Sequence, residues 1–408
     1  MAGIYGLLGE KLGHTFSPMI HGMLAAYVYG IYEKKPEELN DFLAERTFDG
    51  LNVTIPYKKT VMPYLAQISD KAKAIGCVNT VKKLADGSLY GDNTDYDGFL
   101  HLIKKLGGSL SGKKALVLGS GGGSLTAQTV LREQGAAEVI VVSRSGPVNY
   151  QNVYEHTDAK WIVNTTPVGM YPNNGVSPLD LKSFTQCEAV VDIVYNPAKT
   201  QILLDAEALG IPCINGLPML VAQAKRACEI FTDTVLPDEC IDTITQAIER
   251  QTKNIILIGM PGCGKTSVGQ ALAALTGRTA MDVDLYIQEK IGCDIPTFFR
   301  EQGEAAFREV ETQVLAELCK QSGVVISTGG GVVTMPRNRD ILRQNGVIVM
   351  IDRPMEDLPV AGRPVSQSKS VEVLAKERMP LYRAWSSFCV DNREIEETAR
   401  TIKEELGL

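Results

Sequence analysis

Asn254-Ile-Ile-Leu-Ile258-Gly259-Met-Pro-Gly262-Cys-Gly264-Lys265-Thr266 is the stretch on which the reading of this chain turns. A short apolar run enters the pattern GxxxxGK[ST], and Ser267–Leu275 continues with helical character. Strand, glycine loop and helix in that order are the context a phosphate-binding loop requires. Gly259, Gly262 and Gly264 let backbone N–H groups turn toward phosphate oxygens, and the helix N-terminus adds partial positive charge. Lys265 neutralises the terminal phosphates and Thr266 offers a hydroxyl to magnesium. The plainer reading is a chance glycine-rich turn, but that leaves the register of Lys265 and Thr266 without a reason. The motif announces a nucleotide and is silent about the acceptor.

Outward from it, Asp282-Val-Asp284 closes the expected next strand, at the carboxyl edge where α/β folds place ligand-facing groups. Residues two apart on a strand share a face, so both carboxylates are expected to point into one site. Asp282 would help hold hydrated Mg2+, and Asp284 would accept the acceptor hydroxyl's proton. Alone, the pair reads equally as a solvated acidic loop. Arg308, with Glu311 three residues on, reads alone as an exposed helix-face pair.

These motifs continue as Gly303-Glu-Ala-Ala-Phe307-Arg308-Glu309-Val-Glu311, Ser327-Thr-Gly329-Gly330-Gly331, Gly362-Arg363-Pro364 and Glu377-Arg378-Met-Pro-Leu-Tyr382. Together they resemble shikimate kinase over nearly the whole segment Lys253–Leu408. The resemblance implies that Asp284, Arg308, Arg378 and the Gly329–Gly331 loop, with Gly330 and Gly331 foremost, hold shikimate. It makes Arg363 the lid arginine over the transferred phosphoryl group of ATP, and Phe299 and Phe307 walls of the pocket. The stretch Pro354–Ser370 is shorter than the family's usual lid.

A second glycine cluster, Gly119-Ser-Gly121-Gly122-Gly123-Ser124, follows the apolar run Ala115–Leu118 and opens a helix over Leu125–Gln134. Ser124 stands at the third glycine of GxGxxG. With Val139–Val142 and Trp161–Val163 as further buried strands, the frame suits a dinucleotide; a ligand-free turn is the alternative. A site for NAD places an acidic residue about 20 residues past the loop. Here the second strand ends in Ser143-Arg144-Ser145, a cation with flanking hydroxyls, which favours the 2′-phosphate of NADP(H).

In the N-terminal part, His14-Thr15-Phe16-Ser17-Pro18, Asn52-Val-Thr54-Ile-Pro56-Tyr-Lys58, Gly76-Cys-Val-Asn79-Thr80 and Gly91-Asp-Asn93-Thr94-Asp95 occur in one order with Asn164-Thr-Thr-Pro-Val-Gly-Met170, Asp192-Ile-Val-Tyr195-Asn196-Pro197 and Met219-Leu-Val-Ala-Gln223. They resemble shikimate dehydrogenase across Gly3–Arg250. By that resemblance Lys58 and Asp95 are the catalytic pair. An ammonium can stabilise and protonate the oxygen on which hydride transfer builds charge, and a carboxylate can orient it. Taken singly, Lys58 would be a solvated lysine after a proline turn. The same resemblance assigns the substrate carboxylate to Thr15 and Ser17, and its hydroxyls to Thr54, Asn79, Asp95 and Gln223. Tyr27–Glu38 has barely room for a strand, and Ser145–Asp158 lacks a helix that relatives carry. Met19, Met23, Leu24 and Tyr27, at helical spacing, are expected in the core.

These readings give an α/β protein. Its N-terminal part is two-lobed, with a substrate lobe at 1–96 completed by 216–250 and a Rossmann-type NADP lobe at 97–215. A P-loop, NMP-kinase-like parallel-sheet domain follows at 253–408, with the junction near Thr252 after a helix over Asp238–Gln251. A chain of 408 residues with a formal net charge of -7 offers no cationic surface for nucleic acid or anionic membrane. Nine scattered cysteines without metal-ligand spacing and an N-terminus without a leader pattern suit the cytoplasm. Monomer and homodimer both stay open. The expected function is reduction of 3-dehydroshikimate by NADPH and phosphorylation of shikimate by ATP. The rivals are a quinate/shikimate dehydrogenase using NAD, and a kinase carrying a non-catalytic regulatory N-terminal domain.

Overall fold

The computed structural model describes residues 3–13, 15–358 and 371–408. His14, Gly362, Arg363 and Pro364 lie outside the described residues. The chain forms two compact units. One comprises Met1–Met170, Val176–Tyr195 and Ile202–Gln246, and the other Tyr171–Gly175, Asn196–Gln201 and Ala247–Leu408. No helix among the described residues is long and apolar enough to cross a membrane.

The first unit carries two sheets. A mixed six-stranded sheet runs in the order Val28–Glu33, Ile4–Gly9, Gly50–Val53, Thr80–Lys83, Leu89–Asp92, Gln67–Ile68. The second, of five parallel strands, runs Cys213–Ile214, Ala189–Asp192, Trp161–Asn164, Lys114–Leu118, Glu138–Val142. Its central strands are apolar on both faces because helices cover both. Ala115 and Val117 join Phe99, Ala127, Val130 and Leu131 on one side, while Leu116 and Leu118 join Val153, Ile202 and Leu203 on the other. From Lys114–Leu118 the order departs in opposite directions to Glu138–Val142 and Trp161–Asn164, so a crevice opens at that strand's carboxyl end, where Gly119 begins the glycine loop.

The second unit holds a five-stranded parallel sheet in the order Ala280–Asp282, Val325–Ser327, Asn254–Ile258, Gly346–Asp352, Phe388–Asp391. Asn254–Ile258 is buried at every position and lies at the switch of strand order, so the loop from Gly259 emerges at the crevice. The helix Lys265–Thr276 follows it directly.

Two expectations are corrected. The first helix spans only Ser17–Leu24 and buries Ser17, Ile20 and His21. Met23 is exposed, and Tyr27 lies past the helix end, packed on Tyr5. The helical spacing of Met19, Met23, Leu24 and Tyr27 does not mark a core face, because the chain turns extended at Ala25. The narrow interval after Tyr27 nevertheless accommodates a six-residue strand, Val28–Glu33. Asp282 and Asp284 do not share a strand: the strand ends at Asp282, and Asp284 sits in the first turn of the helix Val283–Ile291. Ser145–Asp158 holds only a 3-10 turn at Val153–His156, as its length suggested.

Two packing details of the first unit bear on its site. Gly98, in the helix Asp95–Leu106, has no room for a side chain: a Cβ there would lie 2.6 Å from the Met219 carbonyl oxygen and 3.1 Å from Gln223 Cβ, on the helix Leu217–Thr232. His21 lies inside an aromatic cluster, stacked on Tyr29 at 4.0 Å between centroids, with Nδ1 2.6 Å from the Tyr27 hydroxyl. Burial pushes its imidazole down to about 3.

Both details yield expected outcomes. Gly98→Ala should lower the unfolding free energy of this unit by about 1–3 kcal/mol despite alanine's better helix propensity, because the methyl separates two packed helices; urea unfolding measures it, and an unchanged midpoint would contradict the close packing. The unfolded chain protonates His21 near the ordinary 6.5, whereas the folded chain does so only near 3. The contribution of neutral His21 is therefore complete above pH 6.5 and is lost as the pH falls toward 3, at up to about 1.4 kcal/mol per pH unit. Unfolding curves across this range should show a shallower acid dependence in His21→Phe than in the natural sequence, and equal slopes would exclude His21 as the source.

Two candidate active sites

In the first unit the site grows from the ends of strands that meet the helix Asp95–Leu106. Lys58 Nζ lies 2.5 Å from Asp95 Oδ2, and Asn79 Nδ2 donates to Asp95 Oδ1 at 2.9 Å. Asn79 has no freedom to turn over: its Oδ1 accepts from the Thr94 N–H at 2.6 Å, which leaves the amide nitrogen for Asp95. Asp95 is the first residue of its helix, where the N-terminal partial charge favours a carboxylate. The turn before it is pinned by Asp92, a buried carboxylate that accepts from Ser69 Oγ at 2.5 Å and the Asn93 N–H at 2.8 Å and pairs with Lys71 at 3.3 Å.

The other expected residues lie in the same unit. Thr15 Oγ1 donates to Ser17 Oγ at 3.1 Å and accepts from the Ser17 N–H at the same distance, so the two hydroxyls stand together at the start of a helix. Thr54 follows the strand Gly50–Val53, its N–H donating to the Leu8 carbonyl. Gln223 Oε1 lies 3.4 Å from Thr94 Oγ1, and its amide nitrogen donates to the Leu220 carbonyl. The geometry adds two residues that the motif reading did not single out. Asn52 opens the NVTxPxK motif and donates to Thr80 Oγ1 at 3.4 Å; Tyr29 donates to Asn52 Oδ1 at 2.7 Å. Asn52 had a signal in its motif, whereas Tyr29 had none.

At the crevice of the parallel sheet, Gly119 has φ +105°, and a Cβ there would lie 2.8 Å from Thr165 Oγ1, so the turn itself demands glycine. Gly121 caps the helix Gly122–Glu133, and a Cβ at Gly121 or Gly122 would meet nothing within 4 Å, which leaves the helix N-terminus open to a pyrophosphate. A Cβ at Gly123 would press on Ile193 at 2.9 Å. Ser124 is fully buried and accepts from Gln128 at 3.1 Å, so it fills the packing role of a third glycine. Ser143 and the exposed Arg144 follow the strand Glu138–Val142.

The second unit assembles the other set. Lys265, buried, turns its ammonium back on the loop's own carbonyls, those of Gly259 and Met260, each at 2.9 Å. Thr266 Oγ1 donates to Asp282 Oδ2 at 2.6 Å, and Asp282 Oδ1 accepts from the Asp284 N–H at 3.0 Å. A helix cap, not strand alternation, thus brings the two carboxylates to one place. Among the described residues no group of three or more His, Cys, Asp or Glu could hold a metal on its own. The Thr266–Asp282 pair instead fits magnesium, which keeps most of its shell for water and phosphate.

The acceptor side is organised by Gly329–Gly331. A Cβ on Gly329 would come 2.8 Å from Glu311 Oε1 and 3.0 Å from Asp284 Oδ1; one on Gly331 would lie 2.1 Å from Arg308 Nη2. Arg378 Nη1 donates to the Gly330 carbonyl at 3.1 Å, and the Tyr382 hydroxyl donates to the same oxygen. Arg308 pairs with Glu311 at 2.7 Å, and both are buried, so the exposed helix-face reading of this pair is wrong. Burial pushes the Glu311 carboxyl up, against the pull of Arg308. The Phe299 and Phe307 rings lie 4.5 Å apart in the adjoining core. Glu311 and Tyr382 join the candidate set here. Arg363 is outside the described residues.

Comparison with known proteins agrees with this division. The shikimate dehydrogenase substrate binding domain family matches residues 7–81, and the shikimate kinase family matches residues 261–407. The chain is 35% identical over 268 residues to a shikimate dehydrogenase (NADP(+)) of Clostridium beijerinckii, covering 61% of this chain and 99% of that relative. A chorismate mutase/shikimate 5-dehydrogenase fusion protein from Clostridium acetobutylicum superposes with a TM-score of 0.58 at 36% identity, covering 60% of this chain and 97% of that one. The shikimate 5-dehydrogenase of Thermus thermophilus, solved with NADP(H) and shikimate, gives 0.54 at 32% identity, covering 60% and 99%. With a curated relative matched over nearly its whole length, the chain belongs to the shikimate dehydrogenase family and carries a shikimate kinase domain after it.

Proposed function

We propose that this chain is a bifunctional enzyme that reduces 3-dehydroshikimate to shikimate with NADPH and phosphorylates the 3-hydroxyl of shikimate with ATP and magnesium. The observation that carries the reading is the Lys58–Asp95 contact at 2.5 Å, closed by Asn79. A purely regulatory N-terminal domain would have no use for an ammonium and a carboxylate held together in this way.

Bound NADPH supplies the hydride, and bound ATP with magnesium supplies the phosphoryl group. Lys58 stabilises and protonates the carbonyl oxygen as charge builds on it, and Asp95 orients the ammonium while accepting a substrate hydroxyl. Thr15 and Ser17 hold the carboxylate; Thr54, Asn79 and Gln223 hold the ring hydroxyls. Gly119, Gly121, Gly122 and Gly123 admit the pyrophosphate, and Ser143 with Arg144 takes the 2′-phosphate, which favours NADP over NAD. In the kinase, Arg308 and Arg378 offer guanidinium forks to the carboxylate, and Asp284 takes the proton of the attacking hydroxyl. Lys265 meets the terminal phosphates, Thr266 and Asp282 hold the magnesium shell, and Arg363 is assigned to the transferred group. We assign residues 1–96 with 216–250 to the substrate lobe, 97–215 to the cofactor lobe and 253–408 to the kinase. All nine cysteines are free, which supports a reducing compartment such as the cytoplasm.

Lys58→Ala should lower reductase turnover by about 10²–10⁴-fold and leave phosphorylation of supplied shikimate unchanged. Lys265→Ala should do the reverse. Separate NADPH-oxidation and ADP-release assays on the two purified variants decide it, and loss of both activities from either change in folded protein would sink the two-site reading.

A further inference from the structure

The peptide bond between Cys263 and Gly264 lies where the phosphate loop becomes the helix Lys265–Thr276, and Gly264 caps that helix with φ +97°. The bond is trans, so the Cys263 carbonyl and the Gly264 N–H point in opposite directions. Whatever holds the carbonyl therefore aims the N–H. Among the described residues nothing accepts from that N–H, and a donor at a helix N-terminus is the kind that meets a phosphate oxygen.

The carbonyl is held from the edge strand of the sheet. Asn392, one residue past the strand Phe388–Asp391, donates from Nδ2 to the Cys263 carbonyl at 2.7 Å, and both residues are buried. A carbonyl only accepts, so the amide cannot be turned over, and its oxygen faces the Thr398 hydroxyl at 3.1 Å. Thr398 is itself buried, in the helix Ile395–Glu405, which packs along the helix Lys265–Thr276. The backbone of Asn392 is fixed as well: its N–H donates to the Asp352 carbonyl at 2.8 Å, at the end of the neighbouring strand Gly346–Asp352. The fit against the loop is close, since a Cβ on Gly264 would collide with Asn392 Nδ2. The third glycine of the loop is thus required twice, by its left-handed backbone and by the amide laid against it. Without the amide the buried carbonyl loses its partner, and the peptide plane is free to turn.

We propose that, within the kinase reading on which this rests, Asn392 is a positioning residue that holds the Cys263–Gly264 peptide so that the Gly264 N–H faces the nucleotide phosphates. The grip of the loop on its nucleotide then depends on a side chain 129 positions along the chain from Cys263, outside the glycine-loop and arginine motifs.

The test measures both activities of the full chain in Asn392→Ala, Asn392→Asp and Thr398→Val. Asn392→Asp keeps the shape of the side chain but turns an acceptor toward the Cys263 carbonyl. Both changes at Asn392 should raise KM for ATP by about 5–30-fold, while kcat of phosphorylation falls less than about threefold, KM for shikimate stays within about twofold and reductase turnover is unchanged. Thr398→Val, which disturbs the amide only through its oxygen, should raise KM for ATP by about 2–5-fold, and it decides in the same way if the changes at Asn392 prevent folding. An unchanged KM for ATP in these variants would overturn the proposal. So would equal rises in KM for ATP and for shikimate, which would assign Asn392 to packing of the kinase unit as a whole. An unmutated chain that does not phosphorylate shikimate would instead defeat the reading beneath, and the proposal with it.

Discussion

A lysine ammonium and an aspartate carboxylate held 2.5 Å apart, with Asn79 on the carboxylate's other oxygen, are the constraint around which the first unit is arranged. Neither group is fully buried, so the contact draws modest energy from Coulomb attraction and owes its geometry to the scaffold. That scaffold is visible link by link. Asp92 pins the turn before Asp95, Thr94 fixes the face of Asn79, and the absence of a side chain at Gly98 lets the Asp95 helix lie against the helix that brings Gln223. Moving any one of these would displace the carboxylate before it touched the chemistry.

The second unit solves a different electrostatic problem. Two arginines, a lysine and three carboxylates converge near the glycine loops, and they can do so only because Gly329 and Gly331 present bare backbone to Asp284, Glu311 and Arg308. Glu311 is the hinge of that arrangement. It is fully buried and holds Arg308 in place at 2.7 Å, with burial pushing its carboxyl up against the pull of that guanidinium. In the proposed function the same acid is thus met by neutral hydroxyls at Thr15 and Ser17 in one site and by guanidinium forks at Arg308 and Arg378 in the other. The second choice suits a site that must also carry the charge of nucleotide phosphates.

The frame was legible where local physics alone decides it. Apolar runs flanked by glycine loops marked Lys114–Leu118 and Asn254–Ile258 as central strands, because a strand buried on both faces has no polar alternation to hide it. Reading failed where tertiary placement decides. Asp282 and Asp284 were expected to share a strand face, yet a two-residue cap at the helix start unites them. Arg308 and Glu311 by themselves had the spacing of a solvated pair; the surrounding motifs placed Arg308 in the site, and the fold adds that Glu311 is buried with it. Met23 matched a helical stripe that ends one residue later. Tyr29 carried no motif at all, since its hydrogen bond to Asn52 joins two separate strands.

The central claim is that one chain carries both activities on one acid, and a coupled reaction measures it most directly. Purified chain is given 3-dehydroshikimate, NADPH, ATP and magnesium, and both cofactors and the phosphorylated product are followed. The account predicts shikimate 3-phosphate formed with equal consumption of NADPH and ATP, no phosphorylated product when NADPH is left out, and accumulation of shikimate when ATP is left out. Phosphorylation of supplied shikimate without any NADPH-dependent turnover of 3-dehydroshikimate would contradict it.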